Sequence, residues 1–212
     1  MSDKSPQRIL NPEAIEAESF RIIEAELGPH QFSPDEFAVV QRAIHSTADF
    51  EFARTIRFSP GGIRRGIEAI RAGAMVVADV QMVQAGINKP GLKNFGGEVH
   101  CFISDDDVIA DARASGLTRA IMATRKAARL FPGAIYAIGN APTALLELVK
   151  LADEAKPALV VGVPVGFVSA VESKDELAAS SLPFITALGR KGGTPVAVSM
   201  MNALIRLAAA QD

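Results

Sequence analysis

The chain has 212 residues, 49% hydrophobic and 22% charged, which fits one domain or at most two with a core of its own and excludes wholesale disorder. Lys and Arg number 22 against 24 Asp and Glu, and the net charge of −2 excludes a surface built to coat nucleic acid or an anionic membrane. A single cysteine, Cys101, excludes an internal disulfide and a cysteine-rich zinc cluster.

The opening stretch MSDKSPQRILNPEA has no apolar signal core, and residues 1–8 read as a flexible tail. The most apolar run, residues 158–171, holds Pro164 and two glycines. It falls short of the roughly 20 residues a membrane span needs. The expectation is a soluble protein of a reducing compartment, the cytoplasm.

The first 70 or so residues read as helical. Asn11-Pro12-Glu13 is a helix start, Ile15, Phe20, Ile22, Ile23 and Leu27 form a loose apolar face, and Gly28-Pro29 is a stop. Ser33-Pro34-Asp35-Glu36 starts a second helix carrying Phe37, Val40 and Ile44 at helical spacing. Ser59-Pro60 starts a third, with Ile63, Ile67 and Ile70, ending at Gly73. Strand-length apolar runs then occupy residues 74–79, 99–104, 134–138, 158–162 and 184–188. Helical stretches at 106–115, 118–130, 143–151 and 175–179 alternate with them, and a last helix spans 194–210. Runs apolar on both faces in such alternation predict an α/β fold: a mostly parallel sheet, helices on both faces and a helical N-terminal segment. With no linker, repeat or charge block, residues 1–212 read as a single domain.

Three strands run into glycine-bearing turns: Ile138-Gly139-Asn140-Ala141-Pro142-Thr143, Val161-Gly162-Val163-Pro164-Val165-Gly166, and Leu188-Gly189-Arg190-Lys191-Gly192-Gly193-Thr194. In open α/β sheets the ligand crevice lies beyond the carboxyl ends of the strands, where helix N-termini favour anions. Glycine in tight βα turns is the plain reading of any one of them; three in series point to a large anionic ligand. Neither G-x-x-x-x-G-K-[ST] nor G-x-G-x-x-G occurs, which weighs against an enzyme of nucleotides or phosphosugars.

No histidine spacing fits a metal site. His30 reads as a surface residue, His100 as structural within its strand, and Cys101 as a buried small hydrophobe. Asp105-Asp106-Asp107 reads as a helix cap. His45 lies on the flank of the Phe37/Val40/Ile44 stripe, with Arg42 one turn back on the same side. It reads either as a proton donor beside an anion site or, more plainly from the local pattern, as a satisfied core histidine.

Four segments together resemble the precorrin-8 methylmutases: residues 42–49 (RAIHSTAD), residues 139–145 (GNAPTAL), Pro164-Val165-Gly166-Phe167-Val168 with Glu172-Ser173-Lys174, and Gly189-Arg190-Lys191-Gly192-Gly193. The resemblance runs from about residue 9 to about residue 208. It implies an isomerase of cobalamin biosynthesis that moves a methyl group from C11 to C12 of the macrocycle, giving cobyrinic or hydrogenobyrinic acid. It further implies that His45 is the acid that protonates the ring. Substrate contacts are implied at Ser19, Arg42, Thr47, Asn88, Thr118, Arg119, Gly139, Asn140, Gly166 and Arg190. No cofactor and no protein-held metal are implied, since any cobalt arrives in the substrate. The implied assembly is a homodimer with the ligand near the subunit boundary.

Residues 45–50 (HSTADF), Gly86-Ile87-Asn88 and residues 95–105 are closer to the cobalt-handling branch, which makes cobalt-precorrin-8 the expected substrate. Where the family commonly has Gly-Ala-Ala before Glu-Ser-Lys, this chain has Ser169-Ala170-Val171. The alternative function is a corrinoid-binding or delivery protein of the same fold without catalysis.

Overall fold

The structure is a computed structural model and describes residues 10–210, so the tail expected over residues 1–8 lies outside the described residues. In chain order the elements are α1 (Pro12–Leu27), α2 (Pro34–Thr47), α3 (Phe52–Thr55), β1 (Ile56–Phe58), α4 (Gly62–Arg71), β2 (Val76–Ala78), α5 (Gln81–Gly86), α6 (Lys89–Lys93) and β3 (Val99–His100). There follow α7 (Asp106–Ser115), α8 (Arg119–Leu130), β4 (Ile135–Ile138), α9 (Pro142–Lys150), α10 (Ala152–Ala155), β5 (Leu159–Gly162), α11 (Ala170–Ala179), β6 (Phe184–Ala187) and α12 (Thr194–Ala210). Both N-terminal helix starts form as the sequence dictates. Asn11 Oδ1 accepts from the Ala14 N–H at 2.8 Å. Ser33 and Glu36 close a reciprocal capping box that satisfies two orphan donors.

The six strands make one sheet in the order β1-β6-β5-β4-β2-β3. All neighbours are parallel except β1, which pairs antiparallel with β6. Side chains alternate across it with the strand period of two. On one face Val76, Ala78, Ile135, Ala137, Leu159, Val161, Ile185 and Ala187 meet α2, α4 and α12 through Val40, Ile44, Ile67, Met200 and Leu204. On the other, Val77, Tyr136, Ile138, Val160 and Phe184 meet Ala127, Leu145, Leu148 and Leu177 from α8, α9 and α11. Each fully buried Leu or Ile here contributes about 1.5–3 kcal/mol. The α/β fold with helices on both faces is thus the observed one, and the N-terminal helices cover the sheet together with α12.

Several local expectations are corrected. Strand β1 lies within the stretch read as helical. Its pairing, Ile56 opposite Ala187 and Phe58 opposite Ile185, is long-range and leaves no local period. Ser59 does not cap α4. Its N–H donates to the Phe184 carbonyl and its hydroxyl accepts from the Phe184 N–H at 2.7 Å, prolonging that pairing, and the helix starts at Gly62. The strand expected over residues 99–104 is only two residues long, because β3 is an edge bonded on one side to β2. Beyond it the rings of His100, Phe102 and Phe131 stack, and Cys101 sits half-buried against the core with its thiol pushed up by burial. Asp105 occupies the N-cap position of α7 but makes no side-chain cap. Its carboxylate and that of Asp107 both bind Lys126, at 2.7 Å each. Helix α11 starts at Ala170 rather than 175, because its inward positions 170, 173, 174 and 177 include Ser173 and Lys174, which break the apolar stripe.

Candidate functional site

Strands β4, β5 and β6 are neighbours in register, with Ile138 opposite Gly162 and Gly162 opposite Thr186. Their carboxyl ends therefore share one edge of the sheet, and the three glycine-bearing turns stand side by side there. The turns touch. The Gly193 N–H donates to the Val163 carbonyl at 2.8 Å and the Gly166 N–H to the Arg190 carbonyl at 3.2 Å. Gly139 is packed so closely that a Cβ would stand 3.0 Å from the Ala197 Cβ and 3.1 Å from the Gly193 oxygen. A side chain there would require its neighbours to give by a few tenths of an ångström.

The first turn is held from below by a residue the sequence reading passed over. Asp79, just past the end of β2, is buried. It accepts from three successive amides: Gly139 N–H at 3.2 Å, Asn140 N–H at 2.7 Å and Ala141 N–H at 2.7 Å. Burial pushes its carboxyl up, and the three amides oppose that shift. The donors expected to be open to a ligand in this turn are therefore occupied by the protein's own carboxylate. Asn140 is exposed and still presents its side chain. A carboxylate closing an apolar strand, just ahead of the sheet edge, was the available signal.

The cations divide into free and engaged. Arg119, at the first position of α8, is exposed and has no hydrogen-bond or ion-pair partner among the described residues. Beside it Thr118 caps α8 and lies 3.2 Å from the Thr143 hydroxyl at the start of α9, which brings Thr118 and Arg119 to the Gly139 turn. Arg190 is exposed over the Phe167 ring, 5.4 Å from its centre, with Phe167 and Val168 more than four-fifths exposed. Lys191 is engaged, reaching Asp49 at 2.6 Å and Glu51 at 2.8 Å. Its ammonium, followed by the Glu51 amide, holds the Asp49 carboxyl below the usual range.

That ion pair joins the glycine turns to the end of α2, where His45 sits. His45 is exposed, which rules out the core-histidine reading. Its ring meets Phe20 edge-on, with centroids 5.3 Å apart, and makes no hydrogen bond among the described residues. The Arg42 guanidinium lies over the same Phe20 ring at 5.0 Å and binds Glu16 at 2.6 Å, a carboxylate shared with Arg206 at 3.2 Å. Burial pushes the Glu16 carboxyl up, and the two guanidiniums more than reverse this. Ser19, next to Phe20, turns its hydroxyl back to the Ile15 carbonyl at 2.8 Å. Thr47 likewise donates to the Ala43 carbonyl at 2.8 Å.

The expected site residues thus form two groups bridged by Lys191: Ser19, Arg42, His45 and Thr47 on α1 and α2, and Thr118, Arg119, Gly139, Asn140, Gly166 and Arg190 on the sheet edge. Asn88 is placed elsewhere. It caps α6 and donates its backbone N–H to Asn202, about two turns into α12. Hollows open to solvent lie beside β1, about 630 Å³ lined by Leu27, His30, Phe32 and Arg57, and between α7 and α8, about 400 Å³, and a third of about 380 Å³ is lined by Asp49 and Glu51 at the bridge between the groups. Among the described residues no three of His, Cys, Asp and Glu are grouped to hold a metal, and no helix is long and apolar enough to cross a membrane.

The precorrin-8X methylmutase family profile matches residues 14–207. A cobalt-precorrin-8 methylmutase of Priestia megaterium is 54% identical, over 94% of this chain and 89% of its own length. One of Leptospira interrogans is 47% identical, over 91% and 92%. The crystal structure of a precorrin-8X methylmutase from Thermus thermophilus matches with a TM-score of 0.84 at 47% identity, covering 92% of this chain and 98% of that one. The chain belongs to the precorrin-8X methylmutase family and is, by class, an isomerase.

Proposed function

We propose that this chain converts cobalt-precorrin-8 to cobyrinic acid in cobalamin biosynthesis by moving the methyl group from C11 to C12 of the macrocycle, with His45 as the general acid. The observation that carries this reading is His45 itself. It is exposed, free of hydrogen bonds among the described residues, set edge-on to the Phe20 ring, and joined to the glycine-bearing sheet edge through the Asp49–Lys191 pair. Imidazole is the side chain suited to give a proton and take it back at neutral pH. A methyl shift around a conjugated ring needs the ring held and its electrons biased, and one positioned acid supplies the bias, typically about 10²–10⁴-fold in rate.

Arg119 and Arg190 are the free cations for the carboxylate arms of the substrate. Arg42 serves the same end only by exchanging Glu16 for a substrate carboxylate. Cobalt belongs to the substrate, and two relatives near 50% identity named for the cobalt form support that choice. The site of one chain is an open surface, and Ile15, Ile22, Phe167 and Val168 are exposed beside it. A homodimer in which a second copy closes the pocket accounts for both features. The test is incubation of purified protein with cobalt-precorrin-8, followed by absorbance and by mass and NMR identification of the product. Methyl migration supports the reading; retention of unrearranged ligand without turnover refutes it.

A further inference from the structure

Lys174 belongs to a motif that the chemistry above does not use. Helix α11 turns Ala170, Ser173, Lys174 and Leu177 inward, and all four are fully buried. Among the described residues the Lys174 ammonium donates to one group, the Lys191 carbonyl, at 2.8 Å. Burial holds its pKa down to about 8, with Asp175 opposing the shift.

That carbonyl lies in the middle of the turn after β6. The turn is tied on either side to the turn after β5, by Gly166 N–H to the Arg190 carbonyl and by Gly193 N–H to the Val163 carbonyl. Between these ties Gly192 has φ +156°, and a Cβ there would run into the Val163 carbonyl oxygen. From this short, tightly seated segment Arg190 projects over Phe167, and Lys191 reaches Asp49 and Glu51.

As core filling, lysine is a poor choice. A desolvated ammonium facing one neutral acceptor is unfavourable, whereas methionine has nearly the same length and no charge. The benefit must lie in what the ammonium holds. We propose that Lys174 is a positioning residue: its ammonium, reaching out from α11, fixes the Lys191 carbonyl and thereby the turn that aims Arg190 at the substrate and Lys191 at the segment following His45. The functional part rests on the reading of Arg190 as a substrate contact.

The test is Lys174→Met, read by hydrogen exchange and by steady-state kinetics. Exchange across residues 188–193 is expected to speed by about tenfold or more as a local opening, while residues 139–141, held by Asp79, keep their protection. The Tm should not fall, because a buried charge has been removed, and KM should rise by more than kcat falls. Lys174→Gln, which keeps an N–H donor on a shorter arm, should lie between Lys174→Met and the native chain. Unchanged exchange in residues 188–193, or a uniform loss of protection with a lower Tm, would overturn the positioning role. Arg190→Ala is read separately. If it leaves KM unchanged while Lys174→Met still mobilises the turn, the positioning role stands and Arg190 is removed from substrate binding.

Discussion

The turn after β4 and the turn after β6 lie on the same edge of one sheet, and each is held from beneath by a buried charge of opposite sign. Asp79 accepts from three consecutive amides, so its charge is met by three aligned dipoles. Lys174 donates to a single carbonyl among the described residues, and burial is the largest influence on the titration of both groups. The first turn is therefore a fixed part of the sheet edge. The second is held at one point below and by its two ties to the turn after β5, and it carries the cations Arg190 and Lys191. The difference teaches that glycine-bearing turns of similar appearance in sequence need not offer similar donors: in the β4 turn three successive amides are consumed internally by Asp79.

Substitutions sharpen this contrast, beginning with the largest effect. Asp79→Ala takes the acceptor from three N–H groups, two of them buried, and is expected to lower stability by about 2–4 kcal/mol in urea unfolding near neutral pH. A midpoint equal to that of the native chain would mean that the turn does not depend on Asp79. On the proposed reading, Arg119→Ala and Arg190→Ala each cost a charge-assisted contact to a carboxylate arm, and calorimetry should show substrate or product binding weakened by about 1.5–3 kcal/mol. The two should differ in one respect. Arg119 stands on a twelve-residue helix and should be insensitive to Lys174→Met, whereas the contribution of Arg190 should shrink in that background.

A smaller effect of the opposite sign comes from Lys174→Met alone, expected to be neutral or stabilising by about 1 kcal/mol at pH 7. Its pH dependence follows from the depressed pKa. The folded chain gives up the Lys174 proton near pH 8 and the unfolded chain near 10.5, so the native chain gains stability as pH rises through that window. The advantage of Lys174→Met should be widest below pH 8 and should close toward 10.5 in thermal melts at stepped pH. The smallest change is Ser169→Gly. Ser169 occupies the N-cap position of α11 without a side-chain cap bond, at φ +59°, a left-handed conformation that glycine adopts more readily, and a gain of about 0.5–1 kcal/mol is expected in urea unfolding.

Much of this architecture was legible because it is local. The Asn11 and Ser33 caps, the both-face apolar strands and the glycine turns are written in adjacent residues. What escaped depends on distant pairing. Strand β1 exists because Ile56–Phe58 lies against β6, more than 120 residues away. Phe20 reads as part of a core face and does pack against the core, but that its ring also meets His45 and Arg42 could not be read locally. Asp79 reads as a strand end and Lys174 only as part of the Glu-Ser-Lys segment, because their partners are backbone groups 60 and 17 residues away. His45 was visible as a histidine beside an arginine, but its exposure and its link through Lys191 to the sheet edge needed the fold.

The most direct measurement is the single-turnover rate of methyl migration by His45→Asn, with ligand affinity measured on the same preparation. Asparagine can still hydrogen-bond but cannot supply a proton at neutral pH. A rate lowered by about 10²–10⁴-fold with affinity within a few-fold of the native chain is the expected result. A native rate in His45→Asn would contradict His45 as the acid.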